Sequence, residues 1–161
     1  MRRTESERAI DLAYKAVARR DLTVAELRAR LERKHVPPEA IHEAVAELEE
    51  TGFLDDARYA RQFAEDKREL DQWGTDRIAS DLRRRGIAPQ LIDAAVSTRD
   101  RDSELRTALL LLKQRYQKAP GDDRDRDRAW QVLVRRGYSP DLAYDAIRIW
   151  ERAERERRRA A

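Results

Sequence analysis

The sequence predicts an all-α protein of three tandem three-helix repeats, which we expect to form an elongated, curved array. The first observation is a repeat with a period of 51 residues. Segments 82–91 and 133–142 share a leucine, an Arg-Arg-Gly run, a proline and a closing leucine, and segment 31–40 keeps the first leucine, a basic pair and the proline. The second observation is that apolar residues recur at helical spacing, without the alternation typical of strands. Units that cannot bury their own apolar face stack on one another and expose a long surface.

We place the first repeat at residues 1–51, the second at 52–102, and the third, which carries a basic C-terminal tail, at 103–161. Each repeat is expected to contain three helices with the apolar residues on one face. The residues predicted to face inward are Ile10, Tyr14, Val17, Leu22, Leu27, Ile41, Val45 and Leu48, then Tyr59, Phe63, Trp73, Ile78, Leu91, Ile92, Ala95 and Val96, and finally Leu105, Leu109, Leu112, Tyr116, Trp130, Leu133, Val134, Ala143, Ile147 and Trp150.

Capping residues mark where the helices begin and end. Thr4 with Glu7, and Thr23 with Glu26, have the spacing of a capping box, so each threonine is predicted to start a helix. The remaining boundary signals are Pro37-Pro38 and Pro89 at helix starts, Asp55 and Gly74 as N-caps, Gly52 and Gly86 at helix ends, and a loop at Gly121-Asp122-Asp123.

Composition agrees with a string of small cores. Of the 161 residues, 42% are charged and 40% are hydrophobic, which is too polar for one thick core, while the helical periodicity argues against disorder. The net charge of +3 is unevenly placed. Residues 1–51 and 52–102 each carry 10 basic and 11 acidic side chains, whereas residues 103–161 carry 15 and 10. This excess predicts contact with an anionic partner near the C-terminus.

The chain lacks the features of a secreted, membrane or thiol-dependent protein. It contains no cysteine, which excludes disulfides, thiolate nucleophiles and cysteine-based metal sites. Its longest apolar run, residues 108–112, is too short to span a bilayer, and its first residues lack the apolar stretch of a signal peptide. We therefore expect a soluble, cytoplasmic protein without membrane contact, and a monomer.

No constellation of residues indicates a catalytic, cofactor or metal site. The five glycines are scattered at helix ends, so they form no phosphate-binding loop. His35 and His42 are separated by a Pro-Pro break, and no carboxylate pattern completes a metal site with them. Asp55-Asp56 is explained by a helix N-cap followed by an acid that complements the helix dipole. We expect a protein that is not an enzyme and needs no cofactor.

Two further patterns have structural explanations. Asp123, Asp125 and Asp127 have the spacing that opens a calcium loop, but Arg128 replaces the required glycine and Val134 the final glutamate. The three tryptophans fall on apolar faces or at helix starts, where core packing is favoured over base stacking.

Basic residues form the one constellation with a plausible function. They gather on and just after the middle helix of each repeat, and stacking would bring the clusters to one side of the array at regular intervals. A phosphate backbone or an acidic protein groove would complement such a row. An equally open interpretation is that they are solvated helix ends, where cations favour the C-terminal dipole. The candidate contact residues are Arg28, Arg33, Lys34, Arg77, Arg83, Arg84, Arg85, Arg135 and Arg136.

Sequence-specific DNA reading is not expected. The third helix of a repeat would have to enter the major groove. The outer surfaces of the first two of these helices carry Glu39, Glu43, Glu47 and Glu49, and then Gln90, Asp93 and Ser97. Flanking phosphates would repel acidic surfaces, so any nucleic-acid contact is expected to be directed at the backbone and independent of sequence.

The chain resembles the RecX family of regulatory proteins over roughly residues 8–152. The resemblance is carried by residues 52–60, Gly-Phe-Leu-Asp-Asp-Ala-Arg-Tyr-Ala, and by the flanking segments 25–31 and 78–87. It is specific in the middle third and looser in the last repeat. The signature residues that we interpret as structural, as a cap, a cap acid and inward side chains, are Gly52, Leu54, Asp55, Tyr59 and Ala60.

The resemblance implies a regulator of the RecA recombinase that lies in the helical groove of the RecA filament on single-stranded DNA. It implies inhibition of filament growth, ATP hydrolysis, strand exchange and co-protease activity, and hence a role in DNA recombination, repair and the SOS response. It also implies weak binding to single-stranded or double-stranded DNA without sequence preference. The alternative that the residues leave open is a helical-repeat protein that binds nucleic acid nonspecifically and has no dedicated protein target.

Overall fold

The computed structural model describes residues 4–161, which form nine α-helices and no strand. The predicted all-α class and the three triplets of helices are therefore confirmed for this part of the chain. The helices are α1 (Glu5–Arg19), α2 (Val24–Arg33), α3 (Pro38–Glu50), α4 (Asp56–Asp71), α5 (Thr75–Arg84), α6 (Pro89–Val96), α7 (Arg101–Arg115), α8 (Asp123–Arg135) and α9 (Pro140–Ala160).

The helices are divided between two compact units. The first unit contains the described residues up to Gln62 together with Asp81–Ala95, and the second contains Phe63–Ser80 together with Val96–Ala161. The middle triplet, α4 to α6, thus contributes segments to both units. The repeat boundaries at residues 51 and 102 stay a prediction.

The core of the first unit is built around small residues of α1. Ala9, Ala13 and Ala16 are buried and line the face that packs on α3, where Ala44 is also buried. Four alanines allow the two helices to approach closely. The predicted inward residues of α1, which are Ile10, Tyr14 and Val17, are only partly buried and pack against the edge of this core. The prediction was wrong about the centre of the buried face because it followed residue size, whereas close helix packing selects alanine.

Capping interactions fix the helix starts as predicted. The Thr4 hydroxyl accepts from the Glu7 N–H at 3.1 Å while the Glu7 carboxylate accepts from the Thr4 N–H at 2.9 Å. Thr23 and Glu26 form the same reciprocal pair, with both distances 3.1 Å. Asp55 accepts from the N–H of Arg58 at 3.0 Å and so caps α4. Both predicted capping boxes and the Asp55 cap are confirmed.

The three middle helices end in the same way. In each, a residue in the left-handed region is followed by an N–H that bonds back to a carbonyl five residues earlier, the pattern of a Schellman motif. The left-handed residues are His35, Gly86 and Gly137, with φ of 58°, 81° and 96°. The back-bonded pairs are Val36 with Leu31, Ile87 with Leu82, and Tyr138 with Leu133, at 3.2, 3.1 and 3.1 Å. His35 therefore occupies the glycine position of its repeat, a role that the sequence interpretation missed.

The core of the second unit joins α7, α8 and α9. Leu112, Leu133 and Ile147 are buried, as predicted, and so is Trp150. Two expectations were wrong. Tyr116 lies beyond the end of α7, as its C-cap residue, rather than on a helix face. The connection predicted at 121–123 covers residues 116–122 instead, because α7 ends at Arg115 and Asp122 is the N-cap of α8.

Within each unit, the start of one middle helix meets the end of the middle helix that follows it in sequence. In the first unit, the Thr23 hydroxyl donates to the carbonyl oxygen of Arg85 at 2.7 Å. In the second unit, the Gly74 N–H donates to the carbonyl oxygen of Arg136, also at 2.7 Å. Thr23 and Gly74 are 51 residues apart, as are Arg85 and Arg136. The same junction therefore occurs twice, and it satisfies polar groups that helix ends otherwise leave unpaired.

The close approach at these junctions requires glycine. A Cβ atom on Gly137 would lie 2.5 Å from the backbone nitrogen of Arg77, and one on Gly86 would collide with the Cβ of Ala25. Gly52 also has a positive φ, of 79°, but open space surrounds its Cβ position. Gly137 and Gly52 thus share a backbone conformation and differ in packing.

We predict that Gly137→Ala destabilises the protein more than Gly52→Ala. Both substitutions place a Cβ in the left-handed region, at a cost of about 1 kcal/mol. Gly137→Ala adds a clash with the backbone of Arg77, for a total of about 3 kcal/mol. Urea denaturation followed by circular dichroism measures both. Equal losses of unfolding free energy would contradict the claim that the junction is closely packed.

Candidate functional site

The predicted basic cluster of the first unit separates into structural and exposed members. Arg85 belongs to the structure, since its guanidinium donates to the Tyr59 hydroxyl at 2.8 Å and to Glu26 and Asp81 at 3.4 Å each. Arg84 pairs with Asp81 as well, although 74% of its side chain is exposed. The Asp81 carboxylate is mostly buried and therefore serves as an anchor for both arginines.

Three members of the cluster are presented to solvent. Arg33, Lys34 and Arg83 are exposed, and within residues 4–161 their side chains form no ion pair. Arg28 is half-buried on α2 and likewise has no ion pair there. Since these side chains are accessible and no existing ion pair has to break when an anion binds, Arg33, Lys34 and Arg83 are the most available anion-binding groups of this cluster.

In the second unit, Arg77 and Arg136 take part in the helix junction. The Arg77 guanidinium lies 3.9 Å from the centre of the Trp73 ring and donates to the carbonyl oxygen of Arg135 at 3.4 Å. Arg136 donates to the carbonyl oxygen of Asp71 at 2.5 Å. The Arg135 side chain is exposed. The structure thus brings Arg77 to the Arg135 backbone and leaves the Arg135 guanidinium open to a partner.

Trp73 is half-buried within a group of cations. The Lys67 amine lies 4.7 Å from the centre of the Trp73 ring. The Phe63 ring contacts the Trp73 ring edge-on, with the ring centres 6.2 Å apart. Cations over an aromatic face are stabilised by the ring quadrupole. Trp73 therefore orders Arg77 at the junction, which is a more specific role than the core packing predicted for it.

Arg68 is a buried cation that the sequence interpretation missed. It is 5% exposed and donates to the carbonyl oxygen of Val96 at 2.6 Å and to the hydroxyls of Thr98 and Thr75 at 3.2 and 3.4 Å. Burial, and then the charge of Arg99, lower its pKa. The signal was present in the spacing, because Arg68 continues the buried face of Ala60 and Ala64 on α4. A charged residue in an apolar helical stripe indicates an internal hydrogen-bonding role.

The paired carboxylates Asp55 and Asp56 cap two helices. Asp55 caps its own helix, α4, whereas the Asp56 carboxylate accepts from the N–H of Val24 at the start of α2, at 2.9 Å. Burial raises the pKa of Asp56, and the negative charge of Glu49 adds to this. The interpretation of this pair as helix caps is confirmed for Asp55, and Asp56 has a second, tertiary role.

The remaining sequence patterns are occupied by local interactions. Asp123 and Asp125 lie in the first turn of α8 and pair with Arg126 and Arg128, and Asp127 accepts from Gln131. In the part of the chain that the structure describes, no three potential metal-ligating side chains form a group. None of the helices described has both the length and the apolar character needed to cross a bilayer.

Two family models match this chain. The model described as RecX, first three-helix domain, matches residues 9–48, and the RecX, second three-helix domain, matches residues 55–96. The protein named regulatory protein RecX from Deinococcus radiodurans is 36% identical over 150 residues, which cover 91% of this chain and 70% of that protein. The protein of the same name from Trichlorobacter lovleyi is 35% identical over 134 residues, covering 81% and 87%.

A solved structure has the same fold. The crystal structure of RecX from Lactobacillus salivarius superposes with a TM-score of 0.82, over 91% of this chain and 97% of that one. The sequence identity is 17%, so this similarity speaks to the fold alone.

We predict that Arg68→Ala lowers the free energy of unfolding by about 2 kcal/mol, because it removes the hydrogen bonds to Val96, Thr98 and Thr75 and leaves a cavity. Arg61→Ala is the matched control, since it removes an exposed arginine from the same helix and is expected to change stability by no more than about 0.5 kcal/mol. Denaturant titration measures both. An Arg68→Ala variant as stable as the control would show that the buried cation contributes nothing net.

Proposed function

The chain belongs to the RecX family, and from that membership we propose that it binds the filament that the RecA recombinase forms on single-stranded DNA and inhibits it. The inhibited activities are ATP hydrolysis, strand exchange and co-protease activity, so the protein modulates DNA recombination and repair. The observation that carries the proposal is the pair of matched three-helix domains, together with relatives that are named regulatory proteins.

The contact residues proposed first are the exposed cations at the ends of the middle helices. Arg33, Arg83 and Arg135 are exposed and, among residues 4–161, none of their side chains has an ion-pair partner. Each lies where its helix ends, beside backbone carbonyls that disfavour an anion, so an incoming carboxylate or phosphate must be held by the long guanidinium side chains. The other predicted contacts, which contribute to both fold and binding in this proposal, are Arg28, Lys34, Arg77, Arg84, Arg85 and Arg136.

The protein acts in this proposal by occupying a surface of its partner rather than by chemistry. Its carboxylates serve as caps and ion-pair partners, as with Asp55, Asp56 and Asp81. We accordingly propose a monomeric, cytoplasmic regulator that is not an enzyme and works without a cofactor.

A second candidate is nonspecific binding to nucleic acid without a protein target. It is favoured by the 15 basic against 10 acidic residues of segment 103–161. It predicts a steep fall of DNA affinity with salt, since each neutralised phosphate releases condensed counterions. The near-balanced charge of residues 1–102 favours the protein target instead.

The test is RecA-catalysed ATP hydrolysis on single-stranded DNA, with this protein titrated well below the RecA concentration. Inhibition at such substoichiometric amounts, unrelieved by excess free DNA, is the expected result. Inhibition that disappears as DNA is added, or that tracks the fraction of DNA occupied, would establish the nonspecific binder.

We predict that the triple variant Arg33→Ala, Arg83→Ala, Arg135→Ala raises the half-inhibitory concentration in this assay about tenfold, equivalent to roughly 1.4 kcal/mol of binding free energy. The control is Arg19→Ala, Arg61→Ala, Lys113→Ala, which removes one exposed cation from the first helix of each triplet. Both variants lose the same charge, and both should keep native helicity by circular dichroism. If both variants weaken inhibition equally, the effect depends on net charge alone. The middle-helix arginines would then not belong to the binding surface.

A further inference from the structure

The second unit contains a cavity of about 460 Å³ between the α7–α8 connection and α9. None of the nine candidate contact residues lines it. About half of its lining is apolar, formed by Tyr116, Ala119, Pro120, Ala129 and Trp150. Its remaining lining residues are Arg115, Gln117, Lys118, Asp125 and Arg128.

The charges around this cavity favour an anion. Arg115 and Lys118 are exposed and form no ion pair within residues 4–161. Arg128 forms an ion pair with Asp125 at a distance of 3.8 Å. Three cations therefore face one carboxylate. Because that carboxylate is already matched by Arg128, the charge open to a ligand comes from Arg115 and Lys118.

One residue that lines the cavity, Trp150, has an indole N–H without a hydrogen bond among residues 4–161. Trp150 is 3% exposed. No buried side-chain nitrogen or oxygen of the described residues lacks a partner, so this nitrogen must retain accessible surface. Because Trp150 is one of the residues that line this cavity, we assign that accessible surface to the cavity. By contrast, the indole N–H of Trp130 donates to the carbonyl oxygen of Pro140 at 3.3 Å.

We propose that this cavity binds an acidic peptide segment that carries one large apolar side chain. The apolar side chain packs against Tyr116 and Pro120, the two half-buried apolar residues of the lining. The peptide's backbone carbonyl accepts from the Trp150 indole N–H, and its flanking carboxylates pair with Arg115 and Lys118. This combination of a buried anchor and a charged rim is typical of peptide-binding grooves.

A peptide fits this cavity better than a nucleic acid does. Base binding to single strands depends on exposed aromatic faces. Trp150 is only 3% exposed, so its ring cannot stack on a base. A phosphate backbone would also run past the acidic start of α8, which carries Asp122, Asp123 and Asp125, whereas a peptide can place its carboxylates on the Arg115 side.

The experiment is fluorescence anisotropy with the labelled peptide acetyl-Glu-Asp-Phe-Asp-Glu-Glu-amide. We expect saturable binding to the full chain with a Kd of roughly 100 µM, as short peptides in shallow sites give. Replacing the peptide's phenylalanine by serine, or its acids by lysine, should weaken binding at least about tenfold. The variant Arg115→Glu, Lys118→Glu should have the same effect, and both substitutions are at exposed positions that leave the core intact.

The matched control is Lys113→Glu, Arg124→Glu, which makes the same charge change on α7 and α8 outside the cavity. It should bind the peptide within about threefold of the unaltered chain. The proposal is overturned by any of three results: no saturation up to about 1 mM peptide, equal loss in both double variants, or equal binding of the serine peptide. If a single-stranded oligonucleotide displaces the peptide, and its own affinity falls only in the Arg115→Glu, Lys118→Glu variant, the cavity binds nucleic acid instead.

Discussion

Each unit depends on one hydrogen-bonded junction, in which the start of a middle helix meets the end of the next middle helix in sequence. The carbonyl oxygens of Arg85 and Arg136 lie at helix ends, where no intrahelical donor is available. The donors are the Thr23 hydroxyl in the first unit and the Gly74 N–H in the second. Because each junction joins opposite ends of two helices, their dipoles also attract. The close packing in turn excludes a Cβ at Gly86 and Gly137, which accounts for the repeated Arg-Gly sequence.

The junction divides the basic residues into two classes. The arginine whose carbonyl lies in the junction is held by its side chain as well, Arg85 by Tyr59 and Arg136 by the carbonyl of Asp71. Arg83, two residues before Arg85, and Arg135, directly before Arg136, are exposed. One short basic run therefore stabilises the fold and presents cations to a partner. The two interpretations left open by the sequence, structural helix ends and a binding surface, apply to neighbouring residues of the same run.

The sequence predicts the helices well because capping and periodicity are local. Thr4, Thr23 and Asp55 act as the caps that their spacing indicates. The failures have a tertiary origin. The alanine face of α1 is selected by the approach of α3, which no local pattern encodes. An arginine is usually expected at the surface. Only the position of Arg68 in a buried helical stripe indicates that its side chain hydrogen-bonds to Val96 inside the unit.

The candidate site was predictable in its position but not in the availability of its members. Sequence spacing placed all nine basic residues on or just after the middle helices. It could not show that Arg85 has partners in Asp81, one turn earlier, and in Glu26, on another helix. Such partners depend on tertiary contacts between α2 and the end of α5. The Trp150 cavity was missed for the same reason, because its lining combines residues 115–120 with residues from α8 and α9.

The proposed partner is a protein filament rather than bare DNA. Because the chain has no cysteine, the variant Ala18→Cys provides one exposed site for a fluorescent label on α1. The decisive measurement compares the anisotropy of this labelled chain with RecA filaments on single-stranded DNA and with the same DNA alone. We predict saturable binding to filaments at concentrations where bare DNA gives no change, and little displacement by free DNA. Equal affinity for bare DNA, falling steeply with salt, would contradict the account.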